Sequence, residues 1–200
     1  MEVLVSLKSN LLPSDGEAKY YGQILSLDEA DLLFQQLQKS IKWENDIVIL
    51  FGKKIVTRRK VAWYGNAGLN YTYSHVIKTA LLWTPELLQI KERVEQITGI
   101  QFNSCLLNLY HSGDEGMGWH SDDEKELQKD AGIASVSLGA ARKFYFRKKL
   151  SHETKLHLIL DHGSLLYMDG KSQQHWHHSL PVSKRVKSAR INLTFRTIVC

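Results

Sequence analysis

The sequence predicts an α+β protein, mainly β, whose C-terminal half is a sandwich, jelly roll or barrel. From Phe102 onward, short apolar segments follow one another at 102–110, 133–139, 143–147, 155–160, 163–168, 176–180 and 189–199. Glycines at 132, 139, 163 and 170 punctuate them, and no helical pattern separates them. Such segments read as strands joined by turns, whereas the residues before Phe102 carry two helices and a hairpin.

The first helix is announced by Ser26 and Glu29, a capping box in which each side chain satisfies a backbone N–H of the other. Ala30, Leu33, Phe34, Leu37 and Ile41 then recur at helical spacing and form the face expected to be buried. Next, Ile47-Val48-Ile49-Leu50 and Ile55-Val56-Thr57 flank Phe51-Gly52-Lys53-Lys54, which predicts a hairpin turning over 51–54. The second helix opens with Thr84 as cap and Pro85 as first helical residue, and stops at Gly99. Its expected buried set is Leu87, Leu88, the stem of Lys91, Val94 and Ile97. Two strands carry a split pattern. Leu107 and Leu109 alternate with Asn108 and Tyr110, and Ile191, Leu193 and Phe195 alternate with Arg190, Asn192, Thr194 and Arg196.

At 200 residues, 43% hydrophobic and 24% charged, the chain has the make-up of one soluble globular domain. Cys105 and Cys200 are its only cysteines, which excludes a disulfide framework and a CxxC zinc site and fits a reducing compartment. No apolar run approaches the ~20 residues a membrane helix needs, and no secretory signal pattern opens the chain. A formal charge of +5 is mild, but its cations are grouped at Arg58-Arg59-Lys60, Arg147-Lys148-Lys149 and Lys184-Arg185-Val186-Lys187. Grouped cations favour a polyanionic partner such as nucleic acid.

The polar face of the last strand holds two guanidiniums, an amide and a hydroxyl, a surface suited to a small acid with two carboxylates. Upstream, His120 and Asp122 are two residues apart, so an extended segment points both the same way. A third ligand from His175, His177 or His178 would complete a 2-His-1-carboxylate face, which suits Fe(II) with open positions left over. A polar loop after Gly116-Met117-Gly118 and a zinc site are the competing readings of the pair alone. Neither accounts for the arginine strand. Asn108 and Tyr110 add donors on another strand of the same β region.

In these residues the chain resembles the AlkB family of Fe(II)- and 2-oxoglutarate-dependent dioxygenases. The resemblance runs from about Phe51 to Arg196. It rests on Asn108-Leu109-Tyr110, His120-Ser121-Asp122-Asp123-Glu124, Ile133-Ala134-Ser135-Val136-Ser137-Leu138-Gly139, His162-Gly163-Ser164-Leu165-Leu166, His178-Ser179-Leu180-Pro181 and Arg190-Ile191-Asn192-Leu193-Thr194-Phe195-Arg196. It is nearest to the members that act on DNA. It implies a double-stranded β-helix core over about 101–200, within a single catalytic domain of residues 1–200. Helices and a nucleotide-recognition lid would then occupy about 1–100. It assigns Fe(II) to His120, Asp122 and His178. It assigns 2-oxoglutarate to Asn108, Tyr110, Arg190, Asn192, Thr194 and Arg196, with Arg190 and Tyr110 on the distal carboxylate.

The activity so implied is oxidative demethylation of bases such as 1-methyladenine and 3-methylcytosine in DNA, using O2 and releasing formaldehyde, succinate and CO2. Demethylation of RNA is the alternative, and a non-catalytic DNA-binding β-domain a weaker one. The base has to be flipped to reach the metal. The tip Phe51-Gly52-Lys53 resembles the family's wedge for the vacated stack. Tyr71, Thr72 and Tyr73 would line the base pocket, with Tyr73 or His120 stacking on the base. Asp123 and Glu124 would meet a cationic lesion, and Arg147, Lys149, Lys184 and Arg185 the phosphate backbone. Trp63 and Trp119 are expected to be packing residues. The expected partner is alkylated DNA, bound by a monomer without membrane contact, in the cytoplasm or, in a eukaryote, the nucleus.

Overall fold

In the computed structural model, which describes residues 9–50, 52–73, 76–151 and 155–199, the chain is mostly antiparallel sheet. Strand β1 (Ala18–Gln23) leads into helix α1 (Leu27–Ser40), whose start is fixed as expected: the Ser26 hydroxyl accepts from the Glu29 N–H at 3.2 Å. The β2 (Glu44–Leu50) and β3 (Lys53–Gly65) hairpin follows. Leu50 already pairs with Lys53, so the turn is tighter than the predicted 51–54 and Lys53 and Lys54 belong to the strand. Gly52, at φ 74°, supplies the left-handed residue that a two-residue turn requires.

A second hairpin, β4 (Asn70–Tyr73) with β5 (Val76–Thr79), and the short β6 (Leu81–Leu82) precede helix α2 (Pro85–Thr98). Thr84 caps α2 and Gly99 ends it in the left-handed conformation at φ 73°. The buried set is Leu87, Ile90 and Val94, and Leu88 is 39% exposed, contrary to the expectation. The reason is angular. Ile90 lies three residues after Leu87 and four before Val94, on one stripe, and Leu88 is turned about 100° from Leu87.

The C-terminal half runs β7 (Ser104–Tyr110), β8 (Met117–His120), β9 (Ile133–Gly139), β10 (Arg142–Lys148), β11 (Lys155–Leu160) and β12 (Ser164–Met168). A single-turn helix α3 (Gly170–His175), absent from the sequence reading, then precedes β13 (Trp176–Leu180) and β14 (Arg190–Arg196). One sheet has the order β1-β12-β9-β14-β7-β3-β2 with β6 beside β3, and a second has β11-β10-β13-β8. The large sheet draws strands from both halves of the chain.

The two faces of the large sheet bury different things. Leu107, Leu109, Val136, Leu138, Ile191, Leu193 and Phe195 share one cluster with Leu33, Leu37, Leu87, Ile90 and Val94 of the helices. Each fully buried Leu or Ile there contributes on the order of 1.5–3 kcal/mol. Tyr110, Phe144, Phe146, Leu166, Met168, Trp176 and Leu180 form a second cluster between the two sheets. Alternation on β14 therefore sends Ile191, Leu193 and Phe195 toward the helices and Arg190, Asn192, Thr194 and Arg196 into the space between the sheets.

Candidate active site

Those inward residues are buried, not solvated: Arg190 is 2% exposed, and Asn192, Thr194 and Asn108 are below 10%. Register assembles them. On β7, Tyr110 lies opposite Arg190 and Asn108 opposite Asn192, while β9 places Ser137 opposite Asn192 and Ser135 opposite Thr194. The Arg190 guanidinium donates to Ser137 Oγ at 2.9 Å and to Asn192 Oδ1 at 2.7 Å. Asn192 also accepts from Ser135 Oγ at 2.9 Å and donates to Thr194 Oγ1 at 2.7 Å. Arg190 stands 5.5 Å from the centre of the Tyr110 ring, with Arg59 and Arg142 each 5.9 Å from it.

This pocket is cationic and short of anions. Arg59 has Asp46 as its partner, and Arg142 spends its donors on the carbonyls of Glu115 at 2.9 Å and Pro181 at 2.7 Å. Among the described residues no carboxylate pairs with Arg190, and its buried Nε has no hydrogen-bond partner. Burial pushes the Arg190 guanidinium down to about 10; Tyr110 opposes the shift and the like charge of Arg142 adds to it. A buried cation with a spare donor is a site for a carboxylate.

His120, Asp122 and His178 converge nearby, with one ligand atom from each lying within 4.8 Å of the others. β8 and β13 place His120 and His178 opposite each other, Nε2 to Nε2 at 3.1 Å, and Asp122 Oδ1 is 3.9 Å from His120 Nε2. Ligands at right angles on a metal with bonds of about 2.1 Å stand about 3 Å apart, the spacing of the two histidines. His120 Nδ1 faces the Gly118 carbonyl at 2.9 Å, so in the neutral ring Nδ1 carries the proton and Nε2 the lone pair. Burial pushes the His178 imidazole down to about 3, against the pull of Asp122, and so holds it neutral as a ligand must be. Burial raises the Asp122 carboxyl, but Arg196 and the two histidines outweigh it and hold it below the usual carboxylate range. His175 and His177 are outside this cluster, so of the three candidates β13 aims only His178 inward.

Arg196 bonds directly to Asp122 at 2.7 Å and reaches Glu124 at 3.5 Å. It thereby links β14 to the His120–Asp122–His178 cluster. The donor set thus fits both groups the motifs implied: three oxygen and nitrogen ligands on one face for a divalent metal, and a guanidinium awaiting a carboxylate.

The 2OG-Fe(II) oxygenase superfamily model matches residues 17–196. The mouse (Mus musculus) DNA oxidative demethylase ALKBH2 is 41% identical over 198 residues, covering 94% of this chain and 83% of that protein. The human (Homo sapiens) ALKBH2 is 42% identical over 189 residues, covering 90% and 72%. The chain belongs to the AlkB family of these oxygenases. Human alpha-ketoglutarate-dependent dioxygenase alkB homolog 3 is 37% identical over 187 residues, covering 89% of this chain and 65% of that protein. The solved structure of OsALKBH1 shares the fold, with a TM-score of 0.63 at 15% identity over 93% of this chain and 99% of that one. Fe(II), 2-oxoglutarate and O2 are accordingly the cofactor and cosubstrates of the family to which this site belongs.

The remaining sequence candidates are distributed around the site. Asp123 is exposed, bonded to Lys149 at 3.3 Å and Ser121 at 2.9 Å, while Glu124 lies half-buried against Arg196. Gly52 and Lys53 are exposed at the hairpin tip, and Phe51 lies outside the described residues. Tyr71, Thr72 and Tyr73 lie on β4, with side chains outside the described set. Lys184 and Arg185 are exposed on the segment between β13 and β14. Trp63 packs beside Leu69, Ala80 and Ile198, and Trp119, 36% exposed, packs beneath the Arg147 guanidinium, 4.4 Å from its ring centre. Next to His120 on β8, its side chain points to the opposite face of the strand.

Sequence reasoning missed Ser135, Ser137, Arg142 and Gln173. Alternation on β9 marks both serines, and alternation of Arg142 with Phe144 and Phe146 marks Arg142 as inward-facing. Gln173 has no such signal, because α3 is too short to show a period.

Proposed function

We propose that this protein oxidatively removes methyl groups from ring nitrogens of alkylated DNA bases. The observation that carries it is the convergence of the His120–Asp122–His178 face with the buried Arg190 on β14, which has no carboxylate partner among the described residues. With iron, 2-oxoglutarate and oxygen bound, the centre supplies the oxidation of the methyl, which leaves as formaldehyde while the cosubstrate becomes succinate and CO2. The chain's residues supply binding and orientation. Arg190 and Tyr110 take the distal carboxylate, Ser137 and Asn192 lock the guanidinium plane, and Arg196 pairs with the Asp122 carboxylate. DNA is the substrate class in the names of the ALKBH2 relatives, which supports DNA here.

The substrate side follows from charge and position. Adenine methylated at N1 and cytosine methylated at N3 are cationic, and Asp123 and Glu124 place carboxylates beside the metal ligands. The exposed Gly52-Lys53 tip, with Phe51 before it, is the wedge for the flipped base's vacancy, and the 71–73 strand borders the base. Arg147, Lys149, Lys184 and Arg185 take phosphates. The sheet shared by both halves supports one catalytic domain. Matched methylated DNA and RNA oligonucleotides, single-stranded and duplex, test the reading: turnover on DNA supports it, and turnover on RNA alone replaces the substrate class.

A further inference from the structure

The three metal ligands are not equally anchored. His120 and His178 sit within the β8–β13 ladder, but Asp122 lies beyond the end of β8, in a segment with no regular structure. Its main-chain N–H is taken by the Oε1 of Gln173 at 3.0 Å, in the protein interior. Only the amide oxygen accepts, so the Asp122 N–H dictates which way the Gln173 amide faces. That orientation is completed from behind: Gln173 Nε2 donates to Ser172 Oγ at 3.1 Å and approaches Met168 Sδ at 3.7 Å.

Gln173 is itself held on a braced element. Ser172 gives its N–H to Asp169 Oδ1 at 2.7 Å and its hydroxyl to the Asp169 carbonyl at 2.6 Å. Asp169 exchanges main-chain contacts with Glu17 ahead of β1, accepting at Oδ1 and donating its own N–H, both at 2.9 Å. A contiguous chain of hydrogen bonds therefore runs from Glu17 through Asp169, Ser172 and Gln173 to Asp122.

We propose that Gln173 is a positioning residue for the metal centre: it fixes the Asp122 main chain so that the carboxylate stays in register with His120 and His178. The proposal rests on the oxygenase reading above. Asp122 needs such a tether more than the histidines do. Its carboxylate is drawn toward Arg196 at 2.7 Å while standing 3.9 Å from His120 Nε2, so a free backbone lets Arg196 compete with a metal for the same oxygens. Outer-shell partners of metal ligands typically govern 10–100-fold in metal affinity.

Gln173 also borders, with Asp122, Glu124 and Arg196, a cavity of about 270 Å³, so a small replacement would admit water to the vacated position. The test is therefore Gln173→Met, which fills the volume without an acceptor, beside Gln173→Glu, which keeps the acceptor oxygen. Metal-free protein of the full chain is titrated with Mn(II) by calorimetry, its melting temperature is recorded, and kcat and KM are measured on a methylated oligonucleotide. The expected result for Gln173→Met is a 10–100-fold weaker Mn(II) affinity and a lower kcat, with oligonucleotide KM and metal-free melting temperature close to the parent. Gln173→Glu restores most of the affinity. Gln173→Asn, which withdraws the oxygen by one methylene, replaces the Met variant should that one not fold. Parent-like Mn(II) affinity in Gln173→Met overturns the proposal, as does equal loss in the Met and Glu variants tracking a fall in melting temperature. A parent chain that takes up no Mn(II) overturns the oxygenase reading itself, and the proposal with it.

Discussion

His120 and His178 face each other across an antiparallel ladder with their Nε2 atoms 3.1 Å apart, and burial pushes the His178 imidazole down to about 3. Two lone pairs at that distance repel unless a cation or proton lies between them. The strand pairing thus builds, before any metal arrives, a pair of ligands at the spacing a divalent ion requires.

The cost of that arrangement is readable in acid. The unfolded chain takes up a proton on His178 near pH 6.5, which the native state refuses until about 3. A depressed base makes the unfolded state the better proton binder between those values. The metal-free protein therefore loses stability as pH falls below about 6.5, by up to about 1.4 kcal/mol per pH unit. Asp122, also depressed, adds loss of the same sign below the ordinary carboxylate range. Urea unfolding between pH 7.5 and 5 checks this: His178→Gln flattens the dependence, and an unchanged slope contradicts the assignment.

Removing Asp122 breaks two things at once. Asp122→Ala deletes a metal ligand and takes from Arg196 its 2.7 Å partner. Turnover should be abolished while the fold is retained, with stability lowered by roughly 2 kcal/mol for the lost charged hydrogen bond, Glu124 remaining at 3.5 Å from Arg196. Circular dichroism and urea midpoints separate the two effects. Retained demethylation contradicts the metal assignment.

In the proposed reading Arg190 binds the distal carboxylate of the cosubstrate. Arg190→Met should raise the KM for 2-oxoglutarate roughly 10- to 100-fold, the worth of a charge-assisted hydrogen-bonded carboxylate. The KM for the oligonucleotide should stay put. Arg190→Lys should not rescue, because Ser137 and Asn192 hold a planar fork that an ammonium lacks.

Phe51 precedes the left-handed Gly52 at the β2–β3 tip. Phe51→Ala should slow turnover of duplex substrate more than of single strands, since only the duplex has a vacated stack to fill. Equal losses on both substrates contradict the wedge.

Arg147 lies over Trp119 beside the metal-bearing strand. If it neutralises one phosphate, Arg147→Ala should reduce the slope of log affinity against log salt by about 0.9. Fluorescence anisotropy over a salt series measures this, and an unchanged slope removes Arg147 from the DNA interface.

Much of the site was legible because it sits on strands, where a period of two reveals facing directly. Arg190, Asn192 and Thr194 opposed to Ile191, Leu193 and Phe195 is visible from alternation alone, and the caps Ser26, Thr84 and Gly99 mark both long helices. What stayed hidden depends on partners distant in sequence. Nothing local says that Arg190 has no carboxylate partner among the described residues, that Arg196 turns to Asp122, or that Gln173 meets the Asp122 backbone 51 residues away. Leu88 looks buried from sequence because an apolar residue beside a helical stripe resembles part of it.

The central claim is tested most directly by incubating the protein with Fe(II), 2-oxoglutarate and a 1-methyladenine or 3-methylcytosine DNA oligonucleotide, and weighing the product. The account predicts loss of the methyl from the oligonucleotide with one formaldehyde and one succinate formed per base, all three dependent on iron and 2-oxoglutarate. An oligonucleotide that keeps its methyl under these conditions, with an intact protein that has bound metal, contradicts it.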